Sequence, residues 1–417
     1  MVDALRADRL GANGYPLPTT PHIDELASEG INFRRAFAHS TWTKPSIATL
    51  FTSVYPSQHG LDQVALAGQD GMGSEILAAD LTTLAERFQA AGYRTAAVVN
   101  QVHITARFGF DQGFEFFDEW RGLGGPRLNR KFLRWQKARD TPARPFFAYI
   151  HYLDVHWPYT HRDWKRSPSF GSVTLTREPP KSGKESVREW SAELELPADL
   201  EALQARYDHE VAYTDRAIGE LVQGLKDLGL YEDTIIVVTA DHGEAFLEHG
   251  ELLHGHAPYE EMIRIPLVIR LPARLRGRVR SVAVPVGLID LMPTLLDLVG
   301  LEQESDAQGR SFAPLIRGQD LRSREVFVET ESAVAVRGGN RKLIRFADGR
   351  QQHFDLGRDP LELRPLVETC GAPCTQLETR LADFSAAMAS ARQTLQTATA
   401  PLEEQDLEDM RALGYLD

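Results

Sequence analysis

Apolar, β-branched runs alternate with amphipathic helical patterns along most of this 417-residue chain, and that alternation constrains the fold more than any other feature. The runs are "RTAAVVN" (94–100), "PFFAYIHYLD" (145–154), "TIIVVTADHGE" (234–244) and "IPLVIRLP" (265–272). Helical periodicity marks "LTTLAERFQAAG" (81–92), "YDHEVAYTDRAIGELVQGLKDLG" (207–229) and "IDLMPTLLDLVG" (289–300), each ending near a glycine. Strands separated by helices that can cross back specify an α/β fold, with a mostly parallel central sheet flanked by helices. From about Ser323 the rhythm changes to "REVFVET", "AVAVRGG", "RKLIRF" and "QHFDL", followed by a helix near 376–398. We therefore expect an α/β domain over 1–322, interrupted by a Ser/Pro/charge-rich insertion at 162–200, and a small antiparallel subdomain over 323–417.

Composition narrows the partners. Forty-six Lys and Arg against 59 Asp and Glu give a net charge of −13, which disfavours nucleic acid and anionic membrane surfaces. No run of about 18 apolar residues is present, so no membrane span is expected. The basic stretch 121–139 reads as a solvated helix face or a guide for an anionic substrate. Cys370 and Cys374, in "CGAPC", read equally as a small disulfide loop or as two inert thiols. The opening "MVDALRAD" has the look of a strand end followed by a functional loop. A buried parallel strand usually runs about five or six residues, so we expect this first strand to be truncated, with any export signal lying upstream. Localisation, periplasmic or cytoplasmic, hinges on that signal.

In such a sheet the ligand sits beyond the carboxyl ends of the strands. Asp3 follows "MV"; His103 follows "AAVVNQV"; His151, Asp154 and His156 lie in "YIHYLDVHWPY"; Asp241 and His242 end "IIVVTADHGE". Two carboxylates and an imidazole suit a divalent cation, Mn²⁺ or Zn²⁺ over Ca²⁺. Three ligands leave a position open, and Thr43 in "STWTKPSIATLFTSVYPSQHG" (40–60) can fill it. Pro45 reads as the first helical residue, which puts Thr43 just ahead of a helix N-terminus, where anions are favoured. A metal beside the hydroxyl makes it a nucleophile near neutral pH; an N-cap is the plainer reading. Asp154, His156, His254 and His256 form either a second metal site or a general acid and clamp, with Gln101 and Lys44 as further clamp residues; one metal is favoured. His22, His59 and His249 read as structural.

From "VDALRADRLGANGYPLPTTPHIDELASEGINFRRAFA" through "WTKPSIATLFTSVYPSQHG", "HYLDVHWPY", "VVTADHGEAFLEHG" and "HGHAPYEEMIRIPLVIRLP" to "FDLGRDPLELRPL", the chain resembles the sulfatase family of the alkaline phosphatase superfamily. The resemblance implies an alkaline-phosphatase-like fold and a metal-dependent ester hydrolase or transferase. It implies Asp3, Asp241 and His242 as metal ligands, Thr43 as nucleophile, and His156 and His254 facing the transferred or leaving group. Gln101 and His103 fall where the family often places a Lys-x-His pair. Sulfatases carry Cys or Ser at the nucleophile position, which becomes formylglycine within C/S-x-P-S-R. Here the stretch is Thr43-Lys44-Pro45-Ser46-Ile47. Oxidising a secondary alcohol gives a ketone, so formylglycine cannot arise. The site looks like the threonine-nucleophile branches of the superfamily and, in its Asp-His pair, like the phosphonate monoester hydrolase branch. We thus expect cleavage of a phosphodiester or phosphonate monoester through phosphothreonine, in a small-molecule, lipid-linked or glycan-linked anionic ester. A sulfatase working without formylglycine and a silent binder of anionic glycans or lipid head groups are the rival expectations.

Overall fold

In a computed structural model of the protein, all residues are described except 62–65, 69–70, 123, 139–143, 160–169, 181–182, 303–305, 367–370, 393–397, 414 and 417. The heart of the fold is two short sheets joined by one residue. Arg94–Val99 lies between Phe116–Glu119 and Phe146–His151, all parallel. The other sheet has the order Ser281–Val282, Ile31–Phe33, Leu267–Arg270, Ile236–Thr239. Val2 bridges them, parallel to Tyr152 on one side and Ala240 on the other. Its N–H donates to Thr239 O, and the Asp3 N–H donates to Tyr152 O, each at 2.9 Å. Behind Val2 the two flanking strands are separated by an apolar cavity of about 660 Å³ lined by Phe147, Ile150, Ile236 and Val238 among others.

The expected parallel order holds around Arg94–Val99, but Leu267–Arg270 runs antiparallel to both neighbours. The reason lies in the connection from Thr239 to Leu267. Its only helix is the single turn Glu260–Ile263, and a parallel return needs a longer crossover. Helices Leu84–Ala90, Gly125–Lys137, Ala198–Asp227 and Leu291–Val299 flank the sheets. Among the described residues no helix is long and apolar enough to cross a membrane.

The antiparallel unit consists of Val326–Glu329, Ala333–Gly338, Arg341–Phe346 and Gln351–Asp355 in chain order. Its backing helix spans Ala372–Arg392 rather than 376–398 and packs Leu377 and Leu381 on Val336 and Leu343. Cys374 is disulfide-bonded; Cys370, its only possible partner in sequence, lies outside the described residues. The chain then leaves this unit. Thr399–Pro401 pairs with Gly73–Glu75, and helix Glu404–Ala412 docks on the α/β body. Asp406 there takes ion pairs from Arg107 and Arg121, and Asp409 takes one from Arg121. Part of the basic stretch therefore anchors the end of the chain, while Arg127, Arg130 and Arg134 face solvent. Thr399–Pro401 and Glu404–Ala412 thus pack on the α/β body.

Histidines away from the sheet ends carry the frame. His59 accepts from Leu61 N and meets Thr49 Oγ1, and His249 stacks on Tyr259 and pairs with Glu261. His39 is buried, donates to Phe327 O at 2.6 Å, and has no partner for Nε2. Burial, with Arg324 adding to it and the Phe327 hydrogen bond opposing, lowers the His39 pKa to about 3. The unfolded chain takes up this proton first, so His39 supports the fold fully above its ordinary value near 6.5 and progressively less as pH falls toward 3. Stability of the parent relative to His39→Gln should therefore decline over that window by about 1.4 kcal/mol per pH unit, measured by denaturant unfolding at a series of pH values. A pH-independent difference would show that His39 does not remain neutral in the folded state.

Candidate active site

The strand ends deliver their side chains to one buried point. Asp3 leaves Val2 into a turn where Ala4 adopts a left-handed backbone, φ 55°, a conformation that costs free energy for a residue with a Cβ. The surroundings hold it there: Ala4 N–H donates to Asp241 Oδ1, and Ala4 O accepts from Tyr207 Oη at 2.7 Å. Tyr207 comes from the long helix Ala198–Asp227, so that helix clamps the turn that follows Asp3. Asp241 and His242 follow Ile236–Thr239, and Gly243 then passes the chain so close to Glu261 that a Cβ would stand 2.0 Å from its carbonyl oxygen.

Asp3, Asp241 and His242 each offer a ligand atom within 4.8 Å of the others. His242 Nδ1–H donates to Gly243 O at 2.8 Å, which leaves the Nε2 lone pair facing the carboxylates. Asp3 Oδ1 and Asp241 Oδ2 lie 3.6 and 3.5 Å from that nitrogen, and both are buried with no hydrogen-bond partner. Two orphaned carboxylate oxygens and an imidazole lone pair fit a divalent cation. Burial and then the facing Asp3 charge push the Asp241 carboxyl up. Asp3 is pulled down despite burial, by His156, His151 and His242, and accepts from His151 Nε2 and Gln101 Nε2 at 3.0 and 2.7 Å. Tyr149 fixes His151 by donating to Nδ1.

Thr43 is the first residue of helix Thr43–Thr52, not the residue ahead of it. Trp42, extended at φ −152°, occupies the N-cap position, and Pro45 is third in the helix. Thr43 Oγ1 does not cap. Its contacts are all side chains: Asp3 Oδ2 at 3.4 Å, His242 Nε2 at 3.3 Å, Tyr415 Oη at 3.2 Å and Gln101 Nε2 at 3.4 Å. The plainer N-cap reading is set aside, since the hydroxyl faces the ligand cluster. No second cluster of three such ligands occurs among the described residues.

Opposite the cluster, His156 and His254 bring their Nε2 atoms to 3.2 Å. His156 Nδ1–H donates to Trp157 O, and His254 Nδ1–H to Glu244 Oε1 at 2.9 Å. Glu244 Oε2 accepts from Tyr159, and burial raises the Glu244 carboxyl well above its usual range. His103 sits edge-on to Trp42 and Tyr415 with both ring nitrogens unpartnered, and burial lowers its pKa to about 3.

Three expected clamp residues point elsewhere. Lys44 Nζ donates to Ser74 Oγ and Glu75 O and lies over the Phe108 ring, because the second position of the helix faces the strand Gly71–Glu75. Asp154 accepts from Gly125 N, where the carboxylate satisfies the amino end of helix Gly125–Lys137. His256 Nε2 donates to Leu252 O and so braces its own loop. Two residues of the site were missed. Glu244 stood in "ADHGE", where a further acid three residues after Asp241 is a legible signal. Tyr415, in "RALGYLD", carried none.

The family model described as Sulfatase matches residues 1–301, and that of the N-sulphoglucosamine sulphohydrolase C-terminal region matches 248–386. The "Ulvan-active sulfatase" of Formosa agariphila is 26% identical over 410 residues, covering 88% of this chain and 76% of its own. A solved 2-O GAG sulfatase superposes with TM-score 0.76 at 20% identity over 96% of this chain and 94% of its own. The phosphonate monoester hydrolase of Agrobacterium radiobacter does so with TM-score 0.72 at 21% identity, covering 96% and 98%. A family model spanning 301 of 417 residues, on the fold these neighbours share, establishes that the chain belongs to the sulfatase family of hydrolases.

Proposed function

We propose that this enzyme cleaves a singly charged phosphoester, a phosphodiester or phosphonate monoester, through a covalent phospho-Thr43 intermediate. The observation that carries the reading is the Thr43 hydroxyl, turned away from its own helix and into the Asp3, Asp241 and His242 cluster. Those three side chains would hold one divalent cation, Mn²⁺ or Zn²⁺ over Ca²⁺, since an imidazole is among the ligands. When bound, the cation lowers the hydroxyl pKa and draws charge from the transferred group. Thr43 Oγ1 forms the new bond to phosphorus as the bond to the leaving oxygen breaks. That oxygen takes a proton from His254, which Glu244 orients. Water then attacks phosphorus and gives one proton to His254, while Thr43 leaves and regains the proton it gave up on attack.

Charge favours this substrate class. Gln101 stands where the family often has lysine, and Lys44 is turned away. Among the described residues, no lysine or arginine is in hydrogen-bond contact with Thr43, His156 or Tyr415. Such a site neutralises one negative charge more readily than two. A sulfate ester is also singly charged, and the relatives' names favour it as the second reading. Against it stands the product of attack: a threonine sulfate lacks the aldehyde-forming exit of a formylglycine hydrate.

The test is a panel of aryl phosphodiesters, phosphonate monoesters, phosphate monoesters and sulfate esters with Mn²⁺ or Zn²⁺. Thr43→Ala should fold and lose activity by orders of magnitude, because Oγ1 caps no backbone group of its helix and its loss removes only the contacts to the Asp3 and His242 side of the site. Thr43→Ser should retain a measurable fraction. Acid-quenched parent enzyme should yield a peptide spanning position 43 whose Thr43 is esterified by the phosphoryl or phosphonyl group with its retained substituent; a fully active Thr43→Ala enzyme would overturn the mechanism. Cation binding has its own readout. Saturating Mn²⁺ or Zn²⁺ should raise the unfolding midpoint of the parent, by mass action on the folded state, and leave that of Asp241→Ala unmoved.

A further inference from the structure

The end of the chain enters the site. Helix Glu404–Ala412 is fixed by its ion pairs to Arg107 and Arg121, and Val102 packs on Met410 and Tyr415 beneath it. Tyr415 N donates to Met410 O at 2.8 Å, turning the chain inward after the helix. The ring stands edge-on to His103, 4.5 Å between centroids, and is 8% exposed. Its hydroxyl lies 3.2 Å from Thr43 Oγ1, 3.4 Å from Gln101 Nε2 and 3.0 Å from His156 Nε2.

Hydrogen-bond accounting orders these contacts. A phenol has one proton to give and two lone pairs. Gln101 Nε2 can only donate, and Thr43 can donate as well, so the Tyr415 oxygen accepts from both. His156 uses Nδ1–H on Trp157 O, so its Nε2 accepts the Tyr415 proton. A continuous path results, from Thr43 through Tyr415 to His156, whose Nε2 faces His254 Nε2 at 3.2 Å. Tyr415 is the only side chain among the described residues with hydrogen-bond contacts to both Thr43 and His156.

We propose that Tyr415 is a catalytic residue whose hydroxyl relays the proton released by Thr43 to His156. The inference rests on Thr43 as the nucleophile. As Oγ1 bonds phosphorus, its proton passes to the Tyr415 oxygen while the Tyr415 proton passes to His156 Nε2. His254, entering the step with a proton on Nε2 as well as on Nδ1, gives the Nε2 proton to the leaving oxygen and is resupplied across the imidazole pair from His156. No proton is gained or lost, and hydrolysis of the Thr43 ester runs the path in reverse. The C-terminal helix thereby becomes part of the catalytic apparatus, holding the relay in register with a nucleophile more than 370 residues earlier in sequence.

Tyr415→Phe keeps the ring and its contacts with Trp42 and His103 and removes only the relay. With the metal-loaded enzyme and the aryl ester that the parent turns over fastest, kcat should fall about 10²-fold, as loss of a proton-transfer group does. KM and the unfolding midpoint should stay near parental values, and the solvent deuterium isotope effect on the first, aryl-releasing step should shrink. Tyr415→Ala should lose the same activity and, in addition, midpoint. Parental turnover by Tyr415→Phe overturns the proposal, and faster turnover does so too by showing that the tyrosine obstructs the site. If the Thr43 ester forms in the parent while Tyr415→Phe is fully active, the relay fails and the nucleophile stands. If Thr43→Ala is active while Tyr415→Phe is slow, the nucleophile reading is the one that fails, and with it the relay as written.

Discussion

Two carboxylates buried face to face are the constraint around which the molecule is arranged. Asp3 and Asp241 are both fully enclosed, and each keeps one oxygen without a hydrogen bond. Like charges in a low-dielectric interior repel strongly, and one of them is driven toward its protonated form, which is the direction seen for Asp241. A divalent cation reverses that preference. The fold invests considerable structure in keeping the pair together: the left-handed Ala4, the Tyr207 clamp, Gln101 and His151 on Asp3, and the tight passage of Gly243 past Glu261. All of these bear on where two oxygens point.

The same constraint accounts for the placement of Thr43. A hydroxyl at the first position of a helix has unpaired backbone donors within reach, yet this one ignores them. Trp42 takes the cap position with an extended backbone and no capping side chain, so the helix start is left less satisfied than a serine or aspartate would make it. Local stability is surrendered at a place where the hydroxyl reaches the ligand cluster. Conflict of that kind between a local rule and the global arrangement is what functional sites show.

Much of this was legible because periodicity and strand-end chemistry are local. The runs at 94–100, 145–154 and 234–244 became strands that carry His103, His151 and Asp241 to one edge, and "TADHGE" announced its Asp-His pair by type and spacing. What stayed hidden depended on orientation. Lys44 neighbours Thr43 in sequence, but adjacent helical positions diverge by roughly 100°, so Lys44 meets Ser74 while Thr43 meets Asp3. Asp154 lies between two site histidines, and the amino end of helix Gly125–Lys137 claims it. The antiparallel course of Leu267–Arg270 followed from the absence of a crossover helix, a property of the connection and not of the strand's own residues.

Tyr415 was illegible for a different reason. Its role depends on a path that leaves the α/β body, builds an antiparallel sheet and its covering helix, and returns through Thr399–Pro401 along Gly73–Glu75. That same strand takes Lys44 through Ser74 Oγ and Glu75 O. The residue beside Thr43 and the returning tail thus share one support: the strand that receives Lys44 through Ser74 and Glu75 also pairs with the tail. Turning Lys44 away from the reacting centre and bringing Tyr415 into it are consequences of one piece of architecture, which replaces a fixed cation near Thr43 with a neutral hydroxyl.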